Sequence, residues 1–256
     1  MKTWIRHFLP FGLVRASQLA SEFARLGLKR SHALSRHAGW RLQSLNLNLL
    51  PTGALAGPPA TVVDVGANTG DWSAGLLNFY TPDRLICVEP DPKLASNLRD
   101  RFAALSAVRV FERAVGSTAG SGELKVMEDP VFNSLRQPTG HVRDLYPSTF
   151  RVLETVQVEV QTLDTLLADV PRVKLLKIDV QGFEREVLAG AAAVLRRTDF
   201  VLMEVNFKPH YEGEAGFFEL DTIMQRHGFA IGNYSGPKGG KREALYADVL
   251  YLRPES

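Results

Sequence analysis

The stretch Thr61-Val62-Val63-Asp64-Val65-Gly66-Ala67-Asn68-Thr69-Gly70 constrains the fold of this chain more than any other. A short β-branched apolar run breaks into a glycine turn, and a helix-like segment follows from Asp71 to Tyr80. Strand, turn and helix in that order build a nucleotide-type ligand site at the carboxyl end of a sheet strand. Gly66 and Gly70 let the backbone turn tightly and a ligand approach it, with Asn68 between them. The spacing D-x-G-x-N-x-G is neither the dinucleotide pattern nor a phosphate loop, because no Gly-Lys-Ser/Thr follows. Asp64 puts a carboxylate at the strand end, which argues for a ligand carrying an amine or hydroxyls rather than a phosphate.

A second strand, Arg84 to Val88, ends in Glu89-Pro90-Asp91. An acidic residue at about this distance beyond a glycine turn can accept both hydrogen bonds of a ribose diol. Asp91-Pro92 starts the next helix with an N-cap and a proline at its first position. Further strands are expected at 108–111, 123–127, 156–160, 174–180, 199–205, 229–233 and 245–252. Helices are expected at 92–104, from 163, at 183–195 and at 217–227. Such alternation predicts an α/β, doubly wound, mainly parallel sheet covered on both faces. Residues 129–155 read as a long irregular stretch, which in a compact domain is often functional, and they form the candidate substrate-facing lid.

With these residues in view, the chain resembles the S-adenosylmethionine-dependent class I methyltransferases, and within them the FkbM-type family. The resemblance rests on Asp64 to Gly70 and Val88-Glu89-Pro90. It extends through Asn133-Ser134-Leu135, Thr162-Leu163-Asp164-Thr165-Leu166, Lys177-Ile178-Asp179-Val180-Gln181-Gly182-Phe183-Glu184 and Val201-Leu202-Met203-Glu204-Val205. Many members carry a glutamate where this chain has Gln181. The resemblance implies a seven-stranded Rossmann-like sheet with an antiparallel hairpin near its end. It also implies S-adenosylmethionine as cofactor, Ala114 and Val115 near the adenine, and O-methylation of a small molecule or glycan.

Composition limits the alternatives. The 256 residues suit one large domain with an extension: 1–57 as the extension and 58–256 as the methyltransferase domain, divided near Leu55-Ala56-Gly57-Pro58-Pro59. The net charge of +2 implies no nucleic-acid partner, and one cysteine, Cys87, permits no internal disulfide. No run of 18 apolar residues predicts a membrane span. Charge is concentrated early, with Lys2, Arg6, Arg15, Arg25, Lys29, Arg30, Arg36 and Arg41 opposed only by Glu22 before residue 50. Apolar residues at helical spacing make this segment basic and amphipathic. It is a helical cap on the domain, a peripheral contact with an anionic membrane, or a flexible arm. A cytoplasmic enzyme, or one peripheral at the inner membrane surface, is the matching expectation.

The expected chemistry follows from strand ends. Methyl transfer from a sulfonium needs alignment and removal of a proton from the acceptor. The cofactor-binding candidates are Asp64, Gly66, Asn68, Gly70, Glu89, Ala114, Val115 and Asp179. Asp179 binds the donor amine, orients the acceptor hydroxyl or serves as general base, and Lys177 shares its strand face. Asn133, Ser134 and Glu204 are the acceptor-contact candidates, and His141 and His210 are alternative bases. A divalent metal on Asp179, Glu204 and Asn206 is the metal-assisted variant, and no metal is the leading expectation. A non-catalytic nucleotide-binding module on the same fold is the competing functional class, and a dinucleotide dehydrogenase is disfavoured by the missing third glycine.

Overall fold

Period-two alternation divides the apolar residues of each central strand between two faces of one sheet. The computed structural model of the protein describes residues 46–51, 53–57, 60–236, 238 and 244–254. In chain order the strands are β1 (Thr61–Val65), β2 (Arg84–Val88), β3 (Val108–Phe111), β4 (Ala114–Val115), β5 (Gly120–Met127), β6 (Val152–Gln161), β7 (Val173–Ile178), β8 (Thr198–Asn206), β9 (Ala230–Tyr234) and β10 (Tyr246–Leu252). They alternate with α1 (Asp71–Leu77), α2 (Pro92–Arg101), α3 (Gly140–Leu145), α4 (Leu163–Leu166), α5 (Glu184–Ala189), α6 (Ala192–Arg196) and α7 (Phe217–Arg226). Seven strands form the main sheet in the order β3-β2-β1-β7-β8-β10-β9. All neighbours are parallel except β10, which runs antiparallel to both β8 and β9. The order reverses between β1 and β7, where an open α/β sheet leaves a crevice beyond its strand ends.

On one face, Val62, Leu85, Cys87, Leu175, Leu202 and Leu250 pack against Leu76 of α1 and Leu98 of α2. On the other, Val63, Val65, Ile86, Leu176, Ile178, Val201 and Met203 pack against Val187, Leu188, Val194, Leu195, Leu220 and Met224. The first face has a further contributor. Leu47, Leu49, Leu50 and Leu55 are buried in it, and Asn233 Nδ2 donates to the Leu49 carbonyl at 3.2 Å. Leu47, Leu49, Leu50, Ala54 and Leu55 thus pack as part of the domain core, upstream of the boundary expected at residue 57. The basic helices expected earlier, and the membrane contact assigned to them, lie outside the described residues. No helix among the described residues is long and apolar enough to cross a membrane.

Three local outcomes differ from the expected elements. Residues 120–127 and 152–161 pair as a long antiparallel hairpin, with β4 added parallel to β6, making a second sheet β4-β6-β5. The stretch expected to be irregular, 129–155, contains a 3-10 turn at Pro130–Phe132, the helix α3 and the start of β6. The expected helix 183–195 is two helices, broken at Gly190, where a Cβ would lie 2.1 Å from the Gly116 carbonyl oxygen. The chain kinks because the backbone of the second sheet passes there. Asp164 completes this joint, accepting from Ala193 N at 3.0 Å and Val194 N at 2.7 Å, so that it caps α6 from another element. Asp164→Ala is expected to lower stability by about 1–2 kcal/mol, seen as a lower urea midpoint with an unchanged slope. An unchanged midpoint would show that the cap carries no stability.

Candidate active site

The same alternation that makes the α1 face apolar makes its upper end polar. Along β7 the face carries Leu175, then Lys177; along β8 it carries Leu202, then Glu204; along β10, read backwards, Leu250, Asp248 and Tyr246. Because β10 is antiparallel, its first residues reach the carboxyl ends of the parallel strands. Asp248 stands directly opposite Glu204 in the ladder. These residues open into a cavity of about 800 Å³, within the range of small-molecule sites. Its lining also includes the glycine turn, Glu89 and Pro90, α1 residues Trp72, Gly75 and Asn78, and Asn133 to Leu135.

The glycine turn is fixed by neighbouring strand ends. Gly66 N and Ala67 N donate to the Val88 carbonyl at 2.9 and 3.1 Å. Gly66 has φ +79, and a Cβ there would sit 1.8 Å from the Asp179 carbonyl oxygen, so only glycine allows the turn and the end of β7 to touch. Gly70 ends the turn as the N-cap of α1. Asn68 also has a left-handed backbone, at φ 50, and its side chain donates to the Pro130 carbonyl at 2.7 Å. Glu89 accepts from Asn68 N at 2.7 Å on one oxygen and from Asp91 N at 2.9 Å on the other. Burial is the main cause that pushes its carboxyl up to about 7, against those two hydrogen bonds.

Asp64 behaves differently from the expectation. It is fully buried and absent from the cavity lining, and it accepts from Ser73 Oγ at 2.7 Å and Lys177 Nζ at 3.1 Å. Its strand position puts it beneath α1, where a helix side chain and a neighbouring strand's ammonium claim both oxygens. Lys177 lies between Asp64 and Asp179, 3.4 Å from the latter, and over the Trp72 ring at 5.7 Å. Burial pulls the Lys177 ammonium down, but Asp64 and Asp179 outweigh it and hold it above the ordinary lysine range. Burial likewise pushes the Cys87 thiol up to about 12 beside Asp64.

Asp179 faces the cavity, with Gln181 Nε2 donating to Oδ1 at 2.8 Å. Glu204 joins it on the lining; burial first, then Asp179, Asp248 and Glu184, raise its carboxyl well above the ordinary range. The turn 179–184 is tied down from several sides. Glu184 accepts from Val180 N and Gly182 N, each at 3.2 Å, Ser134 Oγ donates to the Gln181 carbonyl at 2.6 Å, and Arg136 Nε donates to the Gly182 carbonyl at 2.8 Å. Asn133 accepts from Met127 N at 2.8 Å and donates to Asp91 at 3.3 Å. Both Asn133 and Ser134 line the cavity, but these bonds also make them the struts between the second sheet and the strand ends.

Several expected residues lie elsewhere. Ala114 and Val115 are buried between the two sheets and do not line the cavity, because β4 is taken up by pairing with β6. Asn206 does not line it either, and among the described residues no group of three or more His, Cys, Asp or Glu is disposed to hold a metal ion. His141 and His210 are also absent from the lining; His210 packs near Phe150 and Tyr246, and burial lowers it from the ordinary histidine range. Trp72, Gly75, Asn78, Tyr246 and Asp248 were not singled out by sequence. Helical spacing of the first three and period-two spacing of the last two were the available signals.

Comparison with known proteins agrees with this geometry. A family model described as Methyltransferase FkbM domain matches residues 64–231. The 2-O-methyltransferase NoeI of Sinorhizobium fredii (strain NBRC 101917 / NGR234) is 28% identical over 180 residues, 67% of this chain and 73% of that protein. Methyltransferase 1 of Beauveria bassiana (strain ARSEF 2860) is 26% identical over 183 residues, 66% and 72% of the two chains. The crystal structure of Methyltransferase FkbM from Methylobacillus flagellatus KT aligns at TM-score 0.50 and 15% identity, over 93% of this chain and 59% of that one. At that identity the structural likeness speaks for the fold. Lys177→Met is expected to leave Asp64 buried without its cation and to cost about 3–5 kcal/mol, measured by denaturant unfolding. A loss under about 1 kcal/mol, the range of surface pairs, would show that Lys177 is not the keystone of the strand ends.

Proposed function

Because this chain belongs to the FkbM methyltransferase family, we propose that it moves a methyl group from S-adenosylmethionine to a hydroxyl oxygen of a small molecule or glycan. The observation that carries the reading is the single cavity joining Glu89 and the glycine turn to Asp179 and Glu204. The name of the 28% identical relative, a 2-O-methyltransferase, supports an oxygen acceptor.

The residues present fit the donor. Each Glu89 oxygen accepts one backbone N–H and keeps a lone pair for a ribose hydroxyl. Gly66 and Ala67 present backbone without side-chain bulk, and Pro90, Leu124 and Val131 add apolar wall. Asp64 acts at one remove, by fixing Lys177. When bound, the donor supplies an activated methyl on a cationic sulfur, so the protein needs no strong nucleophile of its own. Asp179 holds the acceptor hydroxyl in line and takes its proton as the C–O bond forms and the C–S bond breaks. Glu204 and Asn78 offer further hydrogen bonds to the acceptor from the cavity wall.

Calorimetric titration of the full-length protein with S-adenosylmethionine and S-adenosylhomocysteine tests this reading. Saturable binding of both, lost in Glu89→Ala, is expected; well-folded protein that binds neither would end it. The raised carboxyl of Glu89 adds a pH signature. The ionised form accepts both ribose hydrogen bonds, so affinity is full above about 7 and weakens as pH falls through it. One proton limits the loss to about tenfold per pH unit. Affinity for S-adenosylhomocysteine that stays flat across the neutral range would remove Glu89 from the ribose.

A further inference from the structure

The turn after β7 contains a strained residue for which the reaction above has no use. Gln181 has φ 54, a left-handed conformation that side-chain-bearing residues seldom adopt, and it is 8% exposed. Strain of this kind persists only where the surroundings over-determine it. Here they do. The Gln181 amide nitrogen lies 2.8 Å from Asp179 Oδ1 and 3.4 Å from Glu204 Oε1, and its oxygen lies 3.0 Å from the Tyr211 hydroxyl. Ser134 holds its backbone carbonyl at 2.6 Å. In this orientation the amide NH₂ faces two carboxyl oxygens, and the single proton of the Tyr211 hydroxyl is shared between the amide oxygen and the Phe132 carbonyl.

An NH₂ group set between two carboxylates on adjacent strands does the electrostatic work of a bridging cation. It offers two positive N–H ends, brings no net charge, and has a fixed length. We propose that Gln181 is a positioning residue that takes the place of a divalent ion between Asp179 and Glu204, aiming both carboxylates into the cavity so that no metal is needed to hold them. The reaction that the pair serves rests on the methyltransferase reading; the clamp itself rests on these distances alone. Asp248 already faces Glu204 across the ladder and is met by Lys238 at 2.6 Å, and Glu184 lies close enough to Glu204 to raise it further. Tyr211 is fully buried and its hydroxyl also lies 3.0 Å from the Phe132 carbonyl, so the phenol that orients the amide is itself fixed.

The test uses full-length wild type, Gln181→Glu and Gln181→Leu, with Mn²⁺ as the probe. Paramagnetic resonance of free Mn²⁺ is expected to show no saturable uptake by wild type up to millimolar concentration. Gln181→Glu, with three carboxylates in one place, is expected to bind at least about tenfold tighter, and Asp179→Asn in that background to abolish the gain. Saturable uptake by wild type that is lost in Asp179→Asn would overturn the proposal, as would a Gln181→Glu protein no better than wild type. The leucine variant gives an independent readout. Carbon-13 titration of the side-chain carboxyls should show Glu204 moving further upward once its N–H donor is gone; an unmoved Glu204 would also overturn it. Neither readout needs the methyl donor. Binding of S-adenosylhomocysteine by wild type, measured alongside, judges the methyltransferase reading separately and shows that each variant is folded.

Discussion

A buried ammonium organises this molecule. Lys177 sits where the sheet face changes from apolar to polar, with Leu175 two residues before it and Asp179 two residues after. Its charge would be costly there without partners. Asp64 on β1 and Asp179 at the end of β7 supply them, at 3.1 and 3.4 Å. The arrangement joins the two strands on either side of the point where sheet order reverses. It also sets two strand-end acids apart. Asp64 is spent on Lys177 and Ser73, whereas Asp179 keeps one-third of its side chain open to the cavity. Two acids that look equivalent as strand-end carboxylates are thereby separated into one buried beneath α1 and one that faces the cavity.

Much of the framework was readable because it depends on short-range chemistry. The glycine turn, the N-cap at Asp91 and the proline after it, and the order of strands all express local sterics and alternation. Glu89 lines the cavity for the same reason, directly following the end of its strand. What could not be read depends on which distant groups meet. Nothing near Asp64 in sequence says that Ser73 and Lys177 will occupy its oxygens. Ala114 and Val115 look like a crevice wall until β6 pairs with them. Leu47, Leu49, Leu50 and Leu55 read as part of the N-terminal extension because the core residues they join lie far along the chain, as far as Leu250. The break at Gly190 is set by the backbone of Gly116, which lies 74 residues earlier in the numbering of the two positions.

The motifs that carry the family resemblance divide into distinct physical jobs. Thr162-Leu163-Asp164-Thr165-Leu166 is architectural: Thr162 caps its own short helix and Asp164 caps α6. Asn133-Ser134 is a brace between the hairpin sheet and the strand ends. Asp179 to Glu184 mixes roles within six positions, one carboxylate facing the cavity, one amide holding it, and one buried glutamate tying the turn through two backbone N–H groups. A sequence pattern that recurs as a unit therefore need not be catalytic throughout. A side chain at a strand end is only as well placed as the turn behind it.

The two halves of the cavity are built by different means, and this bears on how acceptor choice can vary. The half proposed for the donor comes from loops that directly follow β1 and β2, where Gly66 N and Ala67 N donate to the Val88 carbonyl and Glu89 N to the Phe111 carbonyl, so a change there disturbs the sheet itself. The other half is drawn from side chains on α1, β7, β8 and β10. Of these, β10 is antiparallel, so Tyr246 and Asp248 arrive at the site from the start of a strand rather than its end. Their backbones are held by ladder bonds that do not depend on side-chain identity. Substitutions at Tyr246 or Asp248 can thus reshape this half of the cavity and leave the glycine turn, Glu89 and the Lys177 pairing in place. The fold thus builds one half of the cavity from loop backbone and the other from strand and helix faces.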